Sequence, residues 1–170
     1  MLKTFLVEDE VVIREMIKKM IPWEQYGFEL AGEASDGEMA LPLILKSKPD
    51  LLITDIKMPF MDGLELAKVV RRTMPWLRIV FLSGHDEFEY AQKAVSLHAD
   101  AYLLKPVSPK EFDQLLENLS AELSRRENRQ GLYSRAVMAD EVLKDHFFQS
   151  LLQTDAPQEL PASMREAGAG

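Results

Sequence analysis

Short apolar runs and amphipathic stretches alternate along residues 1–107. The runs are TFLV, FELAGEA, LLIT, RIVFL and AYLL. Each is rich in Val, Ile, Leu, Phe or Tyr and too short for a helix, which predicts strands buried on both faces, as in a parallel sheet. Between them the spacing changes to three and four. Val12, Ile13, Met16, Ile17 and Met20 step this way, as do Leu64, Ala67, Val70 and Arg71, and then Phe88, Ala91, Ala94 and Val95. Five strand–helix alternations predict an α/β domain with a doubly wound parallel sheet.

Helix starts are marked by chemistry as well as by period. Asp36 and Asp62 stand where N-caps of the second and third helices belong. The stretch SPKE, residues 108–111, carries a complete start signal, with Ser108 as cap, Pro109 in the first helical position and Glu111 closing a capping box. Pro42 goes against the pattern, because it falls inside the second helical segment, where it costs about 3 kcal/mol or bends the helix.

Beyond residue 107 the character changes. Residues 110–153 contain one Gly, no Pro and many helix formers. Phe112, Leu116, Leu119 and Leu123 fit a heptad seam. It is interrupted at Arg126 and Gln130 and resumes less regularly through Tyr133, Val137, Leu143, Phe147 and Leu151. This predicts a long, partly coiled-coil helix seeking a partner. The alternative is a last helix packed on the sheet, followed by a helical hairpin. The expected organisation is a domain over 1–125, a helical linker or dimerisation extension over 126–153, and a disordered Pro/Ala/Gly-rich tail over 154–170.

Composition narrows the functional classes. The 170 residues are 46% hydrophobic, enough for a real core, and the net charge of −8 argues against a general nucleic-acid binder. Without cysteine, disulfides, thiolate metal sites and thiol catalysis are excluded. No apolar run approaches a membrane span, and the acidic N-terminus does not read as a secretory signal, so the expected setting is the cytoplasm.

The strand ends carry the chemistry. Glu8 and Asp9 follow the first strand, Asp55 ends the third, Ser83 ends the fourth, and Lys105 follows the fifth. In a parallel sheet these C-terminal ends share one edge, where such folds place their ligands. Two carboxylates 4 Å apart repel by about 4 kcal/mol at an effective dielectric near 20. Three of them call for cations. Lys105 is one, and a hard divalent ion, Mg²⁺ or Mn²⁺, suits the oxygen donors better than Zn²⁺. A carboxylate in that setting serves as metal ligand or as nucleophile toward phosphorus, forming an acyl phosphate. A metal-dependent phosphohydrolase with an Asp nucleophile is a competing reading. It usually needs a second Asp two residues after the first, and Lys57 stands there. A phosphorylation-independent interaction module is another.

These residues carry a resemblance. The pieces FLVEDE, LLITDIKMPFMDGLEL, RIVFLSGHDEFEYAQKAV and ADAYLLKPVSPKEF resemble, in order and spacing, the receiver domain of bacterial two-component response regulators, over residues 1–125. The stretch SGHDEFEYAQKAVSLHADAYLLKPV, with the long helix after it, is most similar to regulators with an AraC-type helix-turn-helix output domain. The resemblance implies a flavodoxin-like (CheY-like) five-stranded sheet of order 2-1-3-4-5, the order for which receivers are a standing example. It implies Asp55 as phosphoacceptor from a sensor histidine kinase, and Mg²⁺ held by Glu8, Asp9, Asp55 and the Lys57 carbonyl. Ser83 and Tyr102 become the switch pair, and Lys105 the site lysine, with a cis bond to Pro106. Many members have Asp where this chain has Glu8, so Asp9 is the firmer direct ligand. The protein is then a switch and not an enzyme. It would dimerise through the fourth helix, fifth strand and fifth helix, near Glu87, Tyr90 and Lys93, and through the C-terminal helix. DNA would be reached only by an output domain outside this chain.

Overall fold

The computed structural model describes residues 1–84 and 88–154. The chain divides into two compact units, Met1–Glu122 and Leu123–Gly170. In the first unit β1 (Leu2–Val7), α1 (Val11–Met20), a 3-10 turn (Trp23–Tyr26), β2 (Phe28–Ala34), α2 (Gly37–Ser47), β3 (Leu51–Asp55), α3 (Gly63–Thr73), β4 (Arg78–Ser83), α4 (Phe88–Ser96) and β5 (Ala101–Leu104) follow one another. The last helix, α5 (Pro109–Thr154), begins in this unit.

All five strands run parallel in the order β2-β1-β3-β4-β5. The apolar runs anticipated this, since the centre of a parallel sheet is covered on both faces. Every residue of β3 is buried. The core gathers Phe5, Leu52, Ile79 and Phe81 from the sheet with Ile44, Leu66, Ala67 and Val70 from the helices. Trp23 is buried, and its indole N–H donates to the Lys18 carbonyl at 3.2 Å, seating the turn before β2.

Local chemistry follows the sequence closely at the helix starts. Asp36 Oδ1 accepts from Met39 N and Asp62 Oδ1 from Glu65 N, each at 2.8 Å. Ser108 N donates to Glu111 Oε2 at 2.9 Å and Glu111 N to Ser108 Oγ at 3.3 Å, completing the capping box. Pro42 lies inside α2 without ending it, on the exposed face.

Two amphipathic faces differ from their periodicity. In α1, Val12 is 81% exposed and Met16 half-exposed, while Ile17 is buried. In α4, Phe88 and Val95 are 74% and 75% exposed; the packed line is Tyr90, Ala94 and Leu97. Both lines step at three and four, and period alone does not say which one meets the sheet.

Phe112, Leu116 and Leu119 are buried, so this part of the heptad seam serves the fold itself. Gly131 does not interrupt α5. The side chains of Tyr133, Val137, Leu143, Phe147 and Leu151 lie outside the described residues. So do Glu87 and, apart from Thr154, the tail over 154–170. No helix among the described residues is long and apolar enough to cross a membrane.

Candidate phosphoacceptor and metal site

The parallel sheet brings the strand-end residues together. Glu8 and Asp9 directly follow β1, and the Glu8 N–H donates to the Ala34 carbonyl at 3.1 Å, continuing the β1–β2 ladder past the strand. Asp55 ends β3. Its Oδ1 accepts from Ile56 N at 2.9 Å, and Ile56 N also reaches the Leu82 carbonyl at 3.1 Å. Ser83 ends β4 and is buried, and Lys105 N donates to its carbonyl at 2.8 Å. The Lys105–Pro106 bond is cis.

Lys105 is the hub. Its Nζ lies 2.8 Å from Glu8 Oε2 and 3.1 Å from Asp55 Oδ2. Glu8, Asp9 and Asp55 each present a carboxylate oxygen within 4.8 Å of the others. Three acids therefore face one ammonium. Burial is the largest influence on Glu8 and pushes its carboxyl up to about 7, with the Asp55 charge adding to this and Lys105 opposing it. Burial also pushes Asp55 up, again against Lys105. Burial works against the charge on Lys105, but the Glu8 and Asp55 partners outweigh it and raise its pKa. Burial disfavours every charge in this cluster, and the carboxylates add their mutual repulsion, which Lys105 only partly offsets.

The donor set fits a hard divalent cation. Only oxygens are offered, and Asp9 Oδ1 is buried with no hydrogen-bond donor. A cation there would satisfy that atom and relieve the carboxylate repulsion.

Lys57 follows β3 by two residues, with its Nζ 5.5 Å from the centre of the Tyr90 ring. Its expected part is through its carbonyl, while its side chain lies over the Tyr90 ring. Tyr102 is half-buried against the core, paired across the strands with Phe81 while Ser83 pairs with Leu104. Alternation therefore puts Ser83 and Tyr102 on the same face of the sheet, diagonally placed.

Arg14 escaped the sequence reading. Its Nη1 donates to the Glu8 carbonyl at 2.7 Å, and its Nε lies 3.5 Å from Glu33 Oε2. It thus braces the acidic pair from α1. The only signal for it was a basic residue six positions after Glu8 on a predicted helix, too common a pattern to read.

A five-stranded parallel sheet of this order, with an acid cluster and a lysine at its C-terminal edge, defines a CheY-like α/β domain. Comparison gives the family. Residues 4–117 match the response regulator receiver domain, and the chain belongs to that family. It is 41% identical over 127 residues to the uncharacterized transcriptional regulatory protein YesN of Bacillus subtilis, covering 75% of this chain and 34% of that protein. It is 36% identical over 131 residues to the transcriptional regulatory protein HptR of Staphylococcus aureus, covering 77% and 51%. Among solved structures, the REC domain of AraT, a response regulator from Geobacillus stearothermophilus, superposes with a TM-score of 0.71 at 39% identity, over 74% of this chain and 98% of that one. The chain spans a third to a half of the length of these curated relatives.

Proposed function

We propose that this chain is a phosphorylation-activated switch of a two-component system, with Asp55 as the phosphoacceptor. The observation that carries the reading is the Glu8–Asp9–Asp55 cluster, with Glu8 and Asp55 buried, braced by Lys105 in a receiver fold. In the proposed step an Asp55 carboxylate oxygen attacks the phosphorus of a histidine kinase's phosphohistidine. The P–N bond breaks, the imidazole leaves, and an acyl phosphate forms on Asp55. Lys105 would neutralise phosphoryl oxygens, and the Ser83 hydroxyl would donate to one of them. Mg²⁺, held by Asp9, Asp55, the Lys57 carbonyl and Glu8, would supply charge neutralisation. Lys57 stands where an Asp-nucleophile phosphohydrolase would carry its second acid, which supports a switch over a turnover catalyst.

A partner-facing surface supports protein-to-protein transfer. Val11 and Val12 follow the acidic pair and Phe60 follows Asp55, all three largely exposed. Beside them, Ile13, Met16, Ile17, Met20, Val107 and Phe112 line an apolar groove of 310 Å³ between α1 and the start of α5. An apolar groove beside the proposed phosphoacceptor suits contact with a partner protein. The proposed output is transcription control through a DNA-binding domain outside this chain, in keeping with the relatives' names.

The test is intact mass after incubation with a small acyl-phosphate donor, with and without Mg²⁺, for the native chain and for Asp55→Asn. The expected result is one added phosphoryl group that needs both Mg²⁺ and Asp55. Equal labelling of Asp55→Asn would overturn the assignment.

A further inference from the structure

The loop between Asp55 and α3 holds a backbone conformation that its own residue opposes. Phe60 has φ of 69°, a left-handed conformation unfavourable for a bulky side chain. Met61 N donates to the Pro59 carbonyl at 2.9 Å, so Phe60 is the centre of a three-residue γ-turn, the strained form of that turn. The Phe60 side chain is 79% exposed, so its own packing does not offset the strain. Such a conformation persists only where neighbours over-determine it.

The neighbours that do so are glycines. On the far side, Gly63 N donates to the Ile56 carbonyl at 2.8 Å, and a Cβ at Gly63 would overlap the Asp55 carbonyl oxygen. On the near side stands Gly37, the first residue of α2 and itself buried. Its N–H donates to the Met61 carbonyl at 3.3 Å. A Cβ there would lie 2.7 Å from that carbonyl oxygen, 2.8 Å from Met61 Cγ and 2.9 Å from Met61 Cβ. Met58 and Met61 are packed on the core. The loop is thus held at both ends, with the strained residue between.

We propose that the start of α2, through the close approach of Gly37 to Met61, is a positioning clamp. It holds the strained Phe60 turn in place, and with it the loop that carries Lys57 toward the metal and phosphoacceptor site. Gly37 is a positioning residue, acting through the loop and touching no reacting atom. The inference rests on the reading of Asp55 and its metal site given above.

The test combines substitutions on the two sides of the clamp, with three readouts: Mg²⁺ affinity, the rate of Asp55 phosphorylation by an acyl-phosphate donor, and Tm. Gly37→Ala forces Met61 away, and Mg²⁺ affinity is expected to fall roughly threefold to tenfold, with phosphorylation slowed in parallel. Phe60→Gly removes the strain. Alone it is expected to raise Tm by a few degrees and keep Mg²⁺ affinity within about twofold of native. In the Gly37→Ala background it is expected to restore most of the lost affinity, because a glycine in the turn lets the loop absorb the displacement of Met61 without passing it on to Lys57. Met61→Ala loosens the same contact from the other side and serves if Gly37→Ala does not fold; its loss is expected to be rescued the same way. Native Mg²⁺ affinity in Gly37→Ala or Met61→Ala, or a loss that Phe60→Gly leaves unrepaired, would overturn the clamp. Failure of the native chain to bind Mg²⁺ or to phosphorylate would instead overturn the site reading beneath it.

Discussion

Among the described residues, Glu8 is the carboxylate whose environment departs most from that of a free one. Burial, with Asp55 beside it, holds its carboxyl at about 7 against an ordinary 4.5. Between those pH values the folded domain keeps a proton that the unfolded chain has lost. The Glu8 contribution to stability is therefore greatest below pH 4.5 and falls as pH rises to 7, by on the order of 3 kcal/mol. Asp55, also shifted upward, acts in the same direction. Urea unfolding in Mg²⁺-free buffer is expected to show this decline, and Glu8→Gln to flatten most of it. Mg²⁺ must displace the same proton, so its affinity is expected to rise across the window. A native profile identical to that of Glu8→Gln would refute the account. Each of the site's residue types was legible in the sequence, because strand ends in a parallel sheet converge on one edge. The Arg14 brace was not, because a hydrogen bond to a main-chain carbonyl leaves no mark in the acceptor's identity.

Among the elements, α2 carries a clear defect. Pro42 has no N–H to give to the Glu38 carbonyl, and its ring crowds that carbonyl. Because Pro42 is exposed, Pro42→Ala opens no core cavity. Its expected effect is a gain of about 1–3 kcal/mol in unfolding free energy with Mg²⁺ affinity unchanged, read from paired melts and metal titrations. At the start of α5 the reverse holds. Ser108→Ala removes the side-chain half of a formed capping box and is expected to cost about 1 kcal/mol in the same melts. Caps were readable because they are local chemistry. The buried faces of α1 and α4 were less so. Which of two neighbouring apolar lines meets the sheet depends on the helix's rotation about its axis, and that is set by what it packs on. In α4 the line through Tyr90, Ala94 and Leu97 packs on the core.

For the whole molecule, the proposed signal is a change in association. A phosphoryl group on Asp55 would draw Ser83 toward it by a charge-assisted hydrogen bond worth about 1.5–3 kcal/mol. In the proposed switch Tyr102, diagonal to Ser83 on the same face, would fill the vacated space. This would bias two packings of α4, β5 and α5; Phe88 and Val95 of α4 and Leu104 of β5 are exposed. We expect light scattering to show a shift from monomer toward dimer with a phosphoryl mimic and Mg²⁺, and Ser83→Ala to abolish most of that shift. Equal mass in both states, with phosphorylation intact, would remove dimerisation from the mechanism.

By itself the sequence determined the α/β class, the strand order implied by its family, the helix caps and the membership of the acid cluster. These depend on side-chain period, on local hydrogen bonding and on the rule that parallel strands end together. Only the tertiary structure decided how Glu8, Asp55 and Lys105 share their charges, because a pKa depends on distance and burial. It also decided which apolar residues stay exposed around the site, and that the early heptad positions of α5 serve the core. The clamp between Gly37 and Met61 belongs wholly to tertiary structure. The two residues are 24 apart in the chain, and what matters at Gly37 is the space that a missing Cβ leaves open.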